Sequence, residues 1–184
     1  MASRLERASS IPRLRVLTAL VPLICGLVCV FIANIPVSLL DGLVPSPLLA
    51  LVPVYFWCLV RPDLMTPAAA LTIGFAEDMM SGGPPGVWTL SFVLAYALVA
   101  RQRESFAGLS GLAAVLGFAA TSAFACAVAW FTVAFLAFLT PGLHLPPLAP
   151  MVGELAMTVL FYVPTALVVG WVHHRMVGAS RGEI

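Results

Sequence analysis

From Phe106 to Leu139 the chain runs for 34 residues without a charge or a proline. A hydrocarbon core about 30 Å thick is crossed by about 20 helical residues, so this stretch alone restricts the folds open to the chain. Apolar runs recur at Val16 to Leu40, Leu48 to Val60, Ala68 to Met80, Val87 to Ala100 and Met151 to Val172. Of 184 residues, 61% are hydrophobic and 9% charged, against about 25% charged in an ordinary soluble domain. That is too little charge to wet a globular surface. The composition predicts an all-α integral membrane protein. A net charge of +1 offers no basic field for nucleic acid.

Turn-forming clusters separate the runs. They are Asp41 to Pro47, Arg61-Pro62-Asp63, the glycine-proline stretch Ser81 to Gly86, Arg101 to Glu104, and Thr140 to Pro150. The first run exceeds the usual 7–15 residue core of a signal peptide, and no A-x-A exit follows it, so it reads as a retained helix bent near Pro22. The fifth run, if helical throughout, is about 50 Å long at 1.5 Å per residue and must tilt or leave the bilayer.

Arginine placement decides the number of crossings. The nine basic residues are all arginines. With six crossings and a cytoplasmic N-terminus, all nine fall inside: Arg4, Arg7, Arg13, Arg15, Arg61, Arg101, Arg103, Arg175 and Arg181. A re-entrant third run leaves five against four, and a split fifth run leaves seven against two. The positive-inside rule selects the first arrangement. The expected organisation is a basic cytoplasmic segment (1–15), a six-helix transmembrane bundle (16–174) and a cytoplasmic tail (175–184).

Trp57, Trp88 and Trp171 fall at run ends, as aromatic belt residues do, and Arg61 with Pro62 would anchor the second helix at the cytoplasmic interface. Gly108, Gly111 and Gly117, with alanine neighbours, offer a small-residue face for close helix packing, within the chain or against a partner's helix. Cys25, Cys29, Cys58 and Cys126 lie inside apolar runs and read as buried packing residues, so no metal or cofactor is expected.

Ionisable groups at membrane depth are costly and point to function. Glu77, Asp78 and Glu154 qualify, all toward the outer leaflet. Adjacent residues on a helix lie about 100° apart, so one of Glu77 and Asp78 is expected inside and the other at the interface. Asp78 and Glu154 could converge across two helices, but no histidine at membrane depth and no serine–histidine pairing accompanies them. Ser81 to Gly86 is no P-loop, since no Lys-Ser/Thr follows. Two short helices bounded by glycine and proline also suit a transporter's substrate site.

Two segments carry a family resemblance. Tyr55 to Pro62 (YFWCLVRP) is similar to an aromatic-Trp-x-Leu-x-Arg-Pro helix end. Phe75 to Gly86 (FAEDMMSGGPPG) is similar to an Asp-Leu-Leu-Ser-Gly-x-Pro-Leu-Gly turn, with Asp78, Ser81, Gly82, Pro84 and Gly86 on matching positions. Both motifs resemble the rod shape-determining protein MreD family. Met79 and Met80 replace leucines, Pro85 stands where leucine is usual, and Val60 where many members have arginine. The resemblance implies a non-enzymatic inner-membrane scaffold of the bacterial elongation complex. In that family the protein supports peptidoglycan synthesis and rod shape beside MreC, the MreB filament, and the RodA glycosyltransferase with its penicillin-binding transpeptidase. The family's bundle is similar to the substrate-binding subunits of energy-coupling-factor vitamin transporters, which is the alternative function. Those subunits usually carry Ala-x-x-x-Ala on the first helix. Here that run has only Ala19 and Ala33.

Overall fold

The computed structural model describes residues 2–35, 45–107, 111–140 and 145–177, with the side chains of the first helix from Thr18 onward. These residues form helices and turns only. In chain order they are α1 (Ala2–Ala33), α2 (Leu51–Val60), α3 (Pro67–Ser81), α4 (Val87–Arg101), α5 (Arg103–Ala107), α6 (Leu112–Leu139), α7 (Leu148–Leu160) and α8 (Tyr162–Val172). A π-helical turn, His173–Val177, continues α8.

α2 packs against α1, α4, α5, α6 and α8. Its residues Leu51 to Tyr55, Trp57 and Cys58 are buried. A helix apolar on every side belongs in the middle of a bundle. Around it, α3 lies between α1 and α4, and α6 between α4 and α7. Tyr55 knits the centre together: its ring meets Phe106, Phe118 and Tyr162 edge-on at 6.1, 5.5 and 6.2 Å.

Ten residues of helix span only about 15 Å. The chain reaches α2 through non-helical residues 45–50, packed so closely on α7 that a Cβ on Gly153 would stand 2.7 Å from Pro45 Cγ. Buried backbone outside a helix needs partners of its own. The Leu48 amide donates to Thr158 Oγ1 at 2.9 Å, and that hydroxyl donates to the Glu154 carbonyl at 2.7 Å. Ser46 Oγ donates to the Ala33 carbonyl at 2.6 Å. Replacing Thr158 with valine keeps its shape and strands the Leu48 amide. The expected loss is about 1–3 kcal/mol of stability, read by unfolding in detergent. An unchanged midpoint would show that the hydroxyl does not carry this segment.

Contacts between elements sort to two ends. At one end, Tyr96 of α4 donates to the Met65 carbonyl just before α3 at 3.1 Å, and His173 packs on Trp57 with ring centroids 5.1 Å apart. At the other, α3 ends against the start of α4, Asn34 reaches Glu77, and Trp130 Nε1 donates to the Pro146 carbonyl at 3.0 Å. The α3–α4 hairpin is therefore antiparallel. Arg61, Arg101, Arg103 and Arg175 belong to the first end, Glu77, Asp78 and Glu154 to the second half.

The structure corrects several sequence expectations. The fifth run is not one helix. It is divided into α5 and α6, and Gly111 enters α6 with φ +56°, a left-handed value that ends helical continuity. The first helix stops at Ala33 rather than Leu40, because Pro36 disfavours helical geometry in the residue before it. The last run does kink near the expected Pro164: it breaks at Phe161 with a bend of 47° between its halves. That is one turn before Pro164, whose ring displaces the carbonyl four residues back.

Among the described residues, Leu112–Leu139 is the one helix long and apolar enough to cross a membrane, and Leu148–Leu160 with Tyr162–Val177 has that length and composition as a pair bent by 47°. Thr18–Ala33, Leu51–Val60 and Val87–Arg101 are shorter apolar helices.

Candidate functional site

The second of the two resemblance segments, Phe75 to Gly86, forms the end of α3 and the turn into α4. α3 ends with Gly82 in the left-handed region at φ +68°, and Gly86 at φ +96° opens α4. Both conformations are costly for residues with a Cβ, so the spacing of glycines fixes the shape of the turn. Gly86 has no side chain with which to cap α4, and the cap comes from the preceding helix instead. Asp78 Oδ2 accepts from the Gly86 amide at 2.9 Å, the Thr89 amide at 2.9 Å and Thr89 Oγ1 at 2.5 Å. Its Oδ1 accepts from the Trp88 amide at 2.8 Å.

Oδ2 takes three of these four donors and Oδ1 takes one. The carboxyl also faces the positive end of α4. Asp78 is 3% exposed and acts as a clamp between the two helices. Ser81 and Pro84 are exposed. Ser81 Oγ lies 3.5 Å from the Asp78 carbonyl, at the outer limit of a hydrogen bond.

Glu77 is also buried, at 4% exposure. The expectation that one acid of the pair reaches the interface is thus corrected: both point inward. The turn geometry takes Asp78 to α4, while Glu77 faces α1, where Oε1 accepts from Asn34 Nδ2 at 3.0 Å. Its other oxygen has no protein partner. Asn34 also donates to the Val30 carbonyl at 3.0 Å, tying the frayed end of α1 to α3. Glu154 is half-buried on α7, where its backbone carbonyl accepts from Thr158 Oγ1.

At the opposite end Trp57 is fully buried, which corrects its reading as a belt anchor. α2 is central, so its terminal tryptophan packs under Phe56 and His173 instead of facing outward. Arg61 Nε and Nη2 donate to the two Asp63 oxygens at 2.9 and 2.8 Å, across Pro62. This pairing holds the Asp63 carboxyl below its ordinary range. Its stabilising effect is present above the ordinary aspartate pKa and is lost as pH falls through the lowered value. With Asp63 58% exposed, solvent keeps the effect small.

Of the glycines expected to pack helices, Gly117 is buried in α6, Gly111 is an exposed helix entry, and Gly108 lies outside the described residues. Gly74 lets two helix backbones approach closely. A Cβ there would stand 2.8 Å from Thr89 Cα and 2.9 Å from the Trp88 carbonyl oxygen. Its position i−4 to Asp78, facing the same partner helix, was the available signal. Asn34, Thr89 and Thr158 were missed because each acts across a long sequence separation. Among the described residues, no three His, Cys, Asp or Glu side chains cluster as a metal site would require. No family profile, curated protein or solved structure matches the chain.

Proposed function

We propose that this chain is a six-span inner-membrane scaffold with both termini in the cytoplasm, and that it works as an MreD-like member of the bacterial elongation complex. The observation that carries this reading is the use made of its resemblance motif. Asp78, Gly82 and Gly86 are spent on holding α3 against α4, a structural role rather than a chemical one. The exterior supports placement in a bilayer: large side chains such as Phe131, Phe138, Leu160 and Leu167 are more than 60% exposed, a surface that water penalises. The gathering of Arg61, Arg101, Arg103 and Arg175 at one end of the bundle supports the six-crossing orientation. MreC is the partner proposed for its outer helix faces, with the RodA glycosyltransferase and its transpeptidase alongside and the MreB filament reached indirectly.

Depleting the protein from a rod-shaped host is expected to round the cells. Rods that keep their shape but require a vitamin would replace this reading with transport. A periplasm-active reporter fused at Gly142 should be active and one at Gln102 inactive; the reverse would overturn the orientation. The alternative, a small-molecule (vitamin-type) substrate-binding subunit of a transporter, draws on the non-helical entry to α2, since interrupted helices frame transporter sites. It predicts thermal stabilisation of the purified protein by its ligand.

A further inference from the structure

The side of the bundle opens between α1 and α8. The groove has a volume of about 500 Å³, and its walls are apolar: Ile24, Val28 and Ile32 from α1 face Pro164, Val168 and Val172 from α8. It extends from Val21 to Ile32 along one wall and from Phe161 to Met176 along the other. At 1.5 Å per residue those walls are about 17 and 22 Å long. One leaflet of a hydrocarbon core about 30 Å thick is about 15 Å deep, so an acyl chain laid along these apolar walls matches their length.

The arginine end of the groove is of a different character. Met176 closes the lining there, and its neighbour Arg175 holds its guanidinium 5.3 Å from the centroid of the Trp171 ring. Trp171 is 60% exposed, and Arg175 is exposed as well. An exposed tryptophan and a cation side by side match the depth and charge of a phospholipid headgroup.

We infer that the α1–α8 groove binds one phospholipid of the cytoplasmic leaflet, its acyl chain between Ile24 and Val168 and its phosphate on Arg175. The inference rests on the membrane placement proposed above. The acyl chain closes the gap in the ring of helices around α2, and Arg175 selects for a negative headgroup.

Native mass spectrometry of the full chain, extracted from membranes in mild detergent, tests this. The wild-type protein is expected to retain one phospholipid. Ile24→Trp and Val168→Trp fill the groove from opposite walls, and each is expected to lower occupancy at least fivefold. Leu116→Trp, at an exposed position of α6, should leave it unchanged. Arg175→Ala should lower retention of added phosphatidylglycerol at least threefold. Either groove variant suffices if the other fails to fold. No retained lipid in the wild type, equal retention in the filled variants, or a polypeptide in place of the lipid would overturn the inference. Failure of the membrane placement itself is seen separately, as a chain that does not sediment with membranes before extraction.

Discussion

Replacing Asp78 with alanine is expected to cost about 3–5 kcal/mol of stability. The substitution removes the acceptor for three backbone amides and one hydroxyl. An unsatisfied buried donor costs about 1–3 kcal/mol, and loss of a helix cap about 0.5–2 kcal/mol. These penalties overlap, because the freed turn can open and recover some solvation, so the total falls short of their sum. For a chain of this size, 3 kcal/mol corresponds to about 6–12 °C in Tm. Asp78→Asn retains one acceptor oxygen but turns an NH2 group toward amides that also donate, so it should recover less than half of the loss. Thr89→Val removes only the hydroxyl contact and should cost about 1 kcal/mol. Unfolding in detergent would reveal this order. A loss below 1 kcal/mol for Asp78→Ala would mean that the turn is held by its glycines and proline alone. On the function proposed above, Asp78→Ala should fail to restore rod shape in cells through loss of the folded protein, seen as a lowered steady-state level.

The sequence makes the helices legible and leaves their arrangement hidden. α3 and α4 begin and end within a residue of the apolar runs, because Thr66 caps α3 through its hydroxyl and Gly82 and Gly86 bracket the turn. Local signals of that kind operate within four residues. The break at Gly111 was less visible. A glycine among alanines suits a packed helix as well as a helix entry, and only the backbone angle separates the two. Trp57 shows a different limit. Beside an arginine at the end of a run it has the marks of an interface residue, yet α2 has no polar face to say which side it buries. Its central position follows from how five other helices surround it. Asp78 was legible as a residue of consequence, but its role depends on donors eight to eleven positions ahead, beyond the reach of capping rules. Asn34 and Glu77 are separated by 43 positions, and no periodicity relates them.

Gly74 provides the second large effect, and it distinguishes a glycine required by packing from one that merely occupies space. In an exposed helix, changing glycine to alanine gains about 1 kcal/mol. At Gly74 the added carbon would lie 2.8 Å from Thr89 Cα, 2.9 Å from the Trp88 carbonyl oxygen and 3.0 Å from Phe92 Cβ. Two of these atoms belong to the backbone of α4 and cannot rotate aside, so α3 and α4 must separate. Overpacking of this kind costs about 1–3 kcal/mol, and Gly74→Ala is expected to be destabilising despite its propensity gain. Gly74→Leu should cost more than about 3 kcal/mol or prevent folding. Gly170→Ala is the control, since its Cβ would stand in ordinary contact, 3.9 Å from the Phe56 ring; its loss should stay below that of Gly74→Ala. The two large effects also share a cause. Thr89 touches Gly74 through its backbone and binds Asp78 through its amide and hydroxyl, so moving α4 away from Gly74 draws those donors from the carboxylate. Gly74→Ala and Asp78→Ala combined should therefore lose less than the sum of the single changes, by about 0.5 kcal/mol or more. Strict additivity in equilibrium unfolding would separate the helix crossing from the clamp and show that α4 is positioned by each independently.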